Sequence, residues 1–139
     1  MELYQTRIQK FLEERGWDNL RPGDLAKAIS IEAAELLENF QWDNPTLEET
    51  KKDTKKMEAI KKEWADVQIY LLQMAVLLDF DSGKAIIEKL EKVEKKYPAH
   101  LMKARDGKEP GTESAYWQIK AAHRSENLES GQDIQGTEV

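Results

Sequence analysis

Glutamates recur at every third position within an apolar segment, SIEAAELLENFQW (residues 30–42). Three residues of an α-helix turn the chain by roughly 300°, so Glu32 and Glu35 lie on nearly the same face, as do Glu35 and Glu38. A solvent-facing helix carries its charges opposite its apolar stripe, whereas these carboxylates border that stripe. A fold built on this helix must therefore leave the acids in water or supply a positive charge among them.

The segment KKEWADVQIY (61–70) repeats the arrangement, with Glu63 and Asp66 three residues apart among apolar and aromatic side chains. One Glu-x-x-Glu is common on solvated helices, but two such pairs within apolar segments of separate helices favour a shared site. Converging carboxylates repel one another and take up protons unless a cation lies among them. Oxygen ligands favour hard ions, which predicts Mg²⁺ first and Mn²⁺ second. A di-iron site is disfavoured, because it usually brings a histidine three residues after a glutamate, and His100 and His123 lie elsewhere.

Apolar residues at three- and four-residue steps predict about four helices and no strand, which indicates an all-α, four-helix bundle-like fold. We expect the charged segment 46–56 to be a solvated connector or a helix start. The predicted helices are 2–15, ended by Gly16; a second from an Asp24 cap to near Trp42; a third from about Met57 to Leu78; and a fourth, capped by Asp81 or Ser82, to about Lys96.

The length of 139 residues favours one domain, and a change in composition at Arg105 separates residues 1–104 from a tail, 105–139. The tail is rich in turn formers, and we expect it to be partly ordered or flexible. One short amphipathic piece around Trp117 could dock on the body or on a partner.

The net charge of −6 argues against a nucleic-acid partner, which requires a basic surface. The absence of cysteine excludes disulfides and thiolate zinc sites. The longest apolar stretch, residues 69–78, is far short of the roughly 20 residues that span a bilayer, and the first residues lack the apolar core of a signal peptide. We therefore expect a soluble cytoplasmic protein without a membrane segment.

EAAE (32–35) followed by EWAD (63–66) resembles the Glu-x-x-Glu and Glu-x-x-Asp signature of MazG-like nucleotide pyrophosphohydrolases. The surrounding segments, among them ERGW (14–17) and KKYPAH (95–100), resemble the dCTP pyrophosphatase branch in order and spacing. The similarity covers about residues 3–104 and implies the all-α MazG fold for that part of the chain.

The resemblance implies Mg²⁺-dependent hydrolysis of (deoxy)nucleoside triphosphates to monophosphate and pyrophosphate, as housekeeping of the nucleotide pool. It also implies dimers or tetramers with sites at subunit contacts, and we expect a homotetramer. We assign Glu35 to orienting the attacking water, with Glu32 as the second catalytic carboxylate. The matching positions are Glu32, Glu35, Glu63 and Asp66 as metal ligands, Trp17, Trp42 and Tyr70 around the base, and Lys89 and Lys96 near the phosphates.

Two positions depart from the branch: Val93 replaces an Asn, and Arg21 stands about where relatives have a His near the base. The resemblance therefore leaves base preference open. A related all-α phosphohydrolase with another substrate, either dUTPase-like or cleaving phosphoribosyl-ATP, remains an alternative. A non-catalytic helical oligomerisation module, whose acids are solvated, is the alternative from another class.

Overall fold

Every element that the computed structural model describes, over residues 2–100 and 115–130, is helical, which confirms the all-α class. None of the described helices is long and apolar enough to cross a bilayer. In chain order they are α1 (Glu2–Glu13), α2 (Pro22–Glu38), α3 (Leu47–Lys52), α4 (Thr54–Leu77), α5 (Ser82–Lys96) and α6 (Ala115–Ser130).

The helices belong to two compact units, Met1–Ala85 and Ile86–Val139. The first holds α1 to α4 and the opening turn of α5, and the second holds the rest of α5 and α6. The predicted boundary at 104–105 lies outside the described residues and stays a prediction. Within the predicted tail, the amphipathic piece around Trp117 is part of α6.

Helix α4 is the centre of the first unit, because α1, α2 and α3 each contact it. The contact with α2 is the most extensive. The fully buried apolar side chains come from the three longer helices: Leu12, Leu25, Leu72 and Ala75. Removal of such apolar surface from water stabilises the unit by roughly 25 cal/mol per Å².

Gly16 ends α1, as the sequence predicts, and it does so by adopting a left-handed conformation with φ of 63°. The N–H of Gly16 donates to the carbonyl of Glu13 at 3.2 Å, and that of Trp17 donates to Leu12 at 3.0 Å. This pair of bonds is the Schellman arrangement, in which glycine avoids the steric cost of a side chain. The turn also fixes where Trp17 leaves the helix.

The predicted N-cap of α2, Asp24, is wrong. The helix begins two residues earlier at Pro22, after an extended Arg21 that makes no side-chain cap bond. Proline suits the first helical turn because it has no N–H to leave unsatisfied. Asp24 instead lies in that first turn and accepts a hydrogen bond from Lys27 at 3.0 Å.

Helix α2 also ends at Glu38 rather than near Trp42. The Asn39 side chain donates to the carbonyl of Glu35 at 3.3 Å and so satisfies part of the last turn. Side-chain bonds of this kind let asparagine compete with helix continuation. The four residues that follow form the start of a loop, which therefore carries Trp42.

The charged segment before α4 is a helix start rather than a simple connector. Thr46 and Glu49 form a capping box that opens α3, and Asp53 then caps α4 by accepting from the N–H of Lys56 at 2.9 Å. Hydrogen bonds from the backbone and side chain of Thr46 lower the pKa of Glu49. Helix α4 consequently begins at Thr54, three residues before the predicted start.

Gln5 joins α1 to the start of α5. Its Nε2 donates to the carbonyl of Phe80 at 3.0 Å, while its Oε1 accepts from the N–H and the hydroxyl of Ser82 at 3.1 and 2.8 Å. Asp81, as one of the two predicted caps, accepts from the N–H of Lys84 at 3.0 Å. The first turn of α5 is therefore held by side-chain bonds from both α1 and its own cap.

We expect Gln5→Leu to lower the free energy of unfolding by about 1–3 kcal/mol, because the buried Ser82 loses its acceptor. Urea unfolding followed by circular dichroism measures the change. Gln9→Leu is the matched control, since the exposed Gln9 bonds only Glu13 within α1. Equal losses in both variants would contradict a specific role for Gln5.

Candidate metal centre

The contact between α2 and α4 brings together carboxylates that lie 31 or more residues apart in the chain. One oxygen each of Glu32, Glu63 and Asp66 lies within 4.8 Å of the others, and all three residues are half-buried. The spacing of three residues places Glu63 and Asp66 on one face of α4, opposite Glu32 on α2. The structure therefore groups three of the four carboxylates that the sequence assigns to metal.

The side chain of Glu63 is only 13% exposed. Its Oε1 accepts a hydrogen bond from the ammonium of Lys62 at 2.9 Å. Its Oε2 is buried and has no hydrogen-bond partner within the described part of the chain. A buried carboxylate oxygen without a partner is costly, so Oε2 is an atom that a cation would stabilise.

The acids also act on one another electrostatically. Burial raises the pKa of Glu32 first, and the charges of Glu35, Asp66 and Glu63 raise it further, against the opposing charge of Lys62. The hydrogen bond to Glu63, together with the charge of that carboxylate, raises the pKa of Lys62. The cluster therefore holds more negative charge than its single ammonium neutralises.

Glu35 lies outside the group of three but close enough for its charge to reach Glu32. It is exposed and lies nearly one turn further along α2. Glu38 is also exposed. Glu35 is thus placed beside the three clustered acids rather than among them.

The donor set fits a hard divalent cation. All three close ligands are carboxylate oxygens, one of them unpartnered, and such ligands suit Mg²⁺ or Mn²⁺ rather than softer metals. The Lys62 ammonium and an incoming cation would compete for Glu63. We take Glu32, Glu63 and Asp66 as the residues that could hold the ion.

A cavity of about 390 Å³ adjoins the acids, because Asp66 belongs to its lining. Its walls are otherwise mostly apolar and aromatic, and two of the three aromatic residues that the resemblance assigns to the base, Trp17 and Tyr70, line it. The other lining residues are Phe11, Leu20, Asp24, Leu25, Ala28, Ile69 and Gln73. A cavity of this size and character is typical of small-molecule sites.

Trp17 is held at the cavity by a local aromatic pair. Its ring and that of Phe11 meet edge to face, with 5.8 Å between centroids and 71° between planes. The guanidinium of Arg15 lies 3.9 Å from the centre of the Phe11 ring on the same helix end. Since such contacts are each worth about 0.5–1.5 kcal/mol, the indole is oriented before any ligand enters.

The remaining predicted residues are not in the cavity. Trp42 lies in the loop after α2 and is 89% exposed. Nearby, Lys56 pairs with Asp43 at 2.6 Å, and its ammonium lies 5.1 Å from the Phe40 ring centre, so this loop is tied to α4. Lys89 and Lys96 belong to the second unit, and their contact with phosphates stays a prediction.

Sequence analysis missed two residues, Lys62 beside the acids and Gln73 in the cavity wall. Gln73 lies three residues after Tyr70, which lies four residues after Asp66, and this spacing on α4 was the available signal. Lys62 precedes Glu63 directly, and adjacent residues on a helix do not face each other, so spacing alone does not predict their bond.

Comparison with known proteins gives a consistent assignment. The model of the MazG-like family matches residues 27–108. The crystal structure of a pyrophosphatase from Archaeoglobus fulgidus superposes with a TM-score of 0.62 and 39% identity, covering 70% of this chain and 92% of that one.

Curated relatives are mammalian. The chain is 34% identical over 94 residues to dCTP pyrophosphatase 1 of Mus musculus, a match that covers 66% of this chain and 55% of the mouse protein. It is 29% identical over 132 residues to dCTP pyrophosphatase 1 of Rattus norvegicus, covering 94% of this chain and 74% of the rat protein. The match thus spans little more than half the length of the mouse relative.

In the metal-free protein, we expect Glu32→Gln to raise the midpoint of thermal unfolding near pH 7. A carboxyl whose folded pKa lies above its ordinary 4.5 contributes stability below that pH and loses it as the pH rises through the folded pKa. The neutral amide avoids this loss, so its advantage should vanish as the pH falls toward 4.5. Thermal unfolding in EDTA, recorded across this pH range, measures the effect.

Glu38→Gln is the matched control, because Glu38 is an exposed glutamate of the same helix. With a saturating divalent cation, the wild type should unfold at a higher temperature than Glu32→Gln, because the variant lacks one of the carboxylates that would bind the ion. A gain for Glu32→Gln that is the same at every pH would contradict mutual repulsion as its cause.

Proposed function

Because the chain belongs to the MazG-like family, we propose that it hydrolyses (deoxy)nucleoside triphosphates to nucleoside monophosphate and pyrophosphate. The observation that carries this proposal is the meeting of three carboxylates with an aromatic cavity at Asp66. The names of the relatives, all pyrophosphatases, support the same reaction class. The enzyme would act in the cytoplasm as a housekeeper of the nucleotide pool.

Glu32, Glu63 and Asp66 would hold Mg²⁺, with Mn²⁺ as a substitute. When bound, the ion supplies positive charge that stabilises the phosphate oxygens and the leaving pyrophosphate. The carboxylates alone would repel a triphosphate, so they cannot bind it without that charge. The adjacent Lys62 adds a second positive group at the same edge.

Glu35 is proposed to orient the attacking water. It is exposed, lies beside the clustered acids on α2 and is not among the three closest ligands, so its oxygens remain available for water. A carboxylate that accepts a hydrogen bond from the water can take its proton as the bond to phosphorus forms. Glu32, on the same face, would fix the position of the reacting phosphate relative to Glu35.

The cavity would hold the nucleoside part. Trp17 and Tyr70 offer ring surfaces, and stacking of a base on an aromatic side chain is worth roughly 1–3 kcal/mol. Trp42, which is exposed in the loop after α2, is proposed to contact the base when the loop or another subunit brings it there. Lys89 and Lys96 are proposed to meet the outer phosphates.

We expect Glu35→Gln to reduce pyrophosphate release by roughly 10²–10⁴-fold while the helical spectrum stays unchanged, because the amide cannot take the proton. The measurement is pyrophosphate release from the eight common (d)NTPs with Mg²⁺, and again with EDTA. Glu38→Gln on the same helix is the matched control and should keep wild-type turnover.

A wild-type protein that hydrolyses none of the (d)NTPs with Mg²⁺ or Mn²⁺ would contradict the proposed function. That result would favour the alternative of a non-catalytic helical oligomerisation module. Turnover confined to dUTP, or to phosphoribosyl-ATP in a separate assay, would identify the related phosphohydrolase instead. Pyrophosphate release that persists in EDTA would contradict the proposal that a divalent ion held by the carboxylate cluster is needed for the reaction.

We propose a homotetramer, because large apolar side chains of the first unit remain open to water. Leu37, Leu47 and Trp64 are 65%, 79% and 56% exposed, and apolar surfaces of this kind usually mark association sites. Light scattering should give about four times the chain mass of 16.1 kDa. A monomer at all protein concentrations would contradict self-association. A dimer would contradict the homotetramer but agree with the dimeric form that the resemblance also implies.

A further inference from the structure

We propose that Gln73 reads the hydrogen-bonding edge of the nucleobase in the cavity beside Asp66. This inference rests on the proposed function and names a residue that sets which bases the site accepts. It starts from the lining of the cavity, in which Gln73 is an uncharged polar residue among mostly apolar and aromatic neighbours.

The positions of three residues on α4 indicate how a nucleotide would be oriented in the cavity. Asp66, Tyr70 and Gln73 lie at steps of four and three residues, so they share one face of the helix. At 1.5 Å per residue, Gln73 lies roughly 10 Å along the axis from Asp66. Phosphates placed at the acids would therefore leave the sugar and ring near Tyr70, with the far edge of the ring at Gln73.

Gln73 is buried, with 4% of its surface exposed, yet it is without a hydrogen bond from its side-chain amide in the described part of the chain. Buried polar side chains are nearly always partnered, because an unsatisfied donor or acceptor is costly. Since the residue lines the cavity, its remaining accessible surface opens there. The amide therefore has hydrogen-bonding capacity that a ligand in the cavity can reach.

The chemistry of the amide identifies the partner. A carboxamide presents a donor beside an acceptor, which matches the paired donor and acceptor on the edge of a nucleobase. Among the described residues no hydrogen bond holds the amide in one orientation, so a half-turn can exchange its donor and acceptor. Gln73 should therefore accept an amino base such as cytosine and a keto base such as thymine or uracil with similar affinity.

Two substitutions separate this role from a packing role. Gln73→Met keeps the length of the side chain and removes both hydrogen-bonding groups, while Gln73→Glu keeps the shape and leaves only acceptors when ionised. Gln68→Met is the matched control, because Gln68 is another glutamine of α4 that does not line the cavity. Circular dichroism and thermal unfolding confirm that each variant folds.

The first experiment measures pyrophosphate release from dCTP, dTTP and a base-free deoxyribose triphosphate. We expect Gln73→Met to raise KM for dCTP and dTTP roughly tenfold, with kcat nearly unchanged and the base-free compound unaffected. Gln73→Glu should also raise KM for both nucleotides by roughly tenfold, since a carboxylate accepts from the donor on either base edge but repels the acceptor beside it. Gln68→Met should match the wild type.

The second experiment measures equilibrium binding of dCMP and dTMP by calorimetry, which needs no turnover. If the wild type releases no pyrophosphate, the proposed function fails, and weaker binding of both monophosphates by Gln73→Met would still support base reading. Wild-type KM and wild-type binding in Gln73→Met would overturn the inference, whatever the activity. A loss of kcat for the base-free compound as well would also overturn it, because it would show a structural role.

Discussion

Repulsion among the carboxylates between α2 and α4 is the constraint on which the site depends. Burial and three neighbouring charges raise the pKa of Glu32, and the buried Oε2 of Glu63 is left without a partner. Hydrophobic contact between the two helices must hold these groups together against that repulsion, and Leu25 and Leu72 supply part of it from their buried positions. The fold therefore brings the carboxylates together before a cation binds. A bound cation would neutralise their repulsion, and binding would stabilise the folded protein.

Local rules of helix termination place the rest of the cavity. A left-handed Gly16 ends α1 and directs Trp17 to the cavity, where its ring packs edge to face with Phe11. A capping box opens α3 and Asp53 caps α4, so Glu63 lies nine residues into α4. The chemistry of a few capping residues therefore decides where an aromatic wall meets the candidate metal centre.

Apolar periodicity predicted the all-α class, and Gly16 predicted the end of α1. The meeting of acids followed from two matching carboxylate pairs in apolar segments of separate helices. The Asp24 cap was wrong because Pro22 starts the helix without side-chain help, and spacing does not rank two competing starts. The place of Trp42 did not follow, since it lies in a loop beyond α2 whose path depends on tertiary contacts such as Lys56 with Asp43. Gln73 escaped for a similar reason: its burial depends on which face of α4 borders a cavity.

A single helix, α4, contributes to both ends of the cavity. Asp66 lies at the end beside the carboxylates, Gln73 at the opposite end, and Tyr70 between them on the same face. Replacement of a side chain at the far end leaves the geometry of the acids intact, because the helical backbone fixes their separation. Insertion or deletion of a single residue between them would rotate one end by about 100° and uncouple the two. During evolution, point substitutions at the far end of the cavity can therefore change which ligands bind. Insertions and deletions between Asp66 and Gln73 would instead disrupt the site.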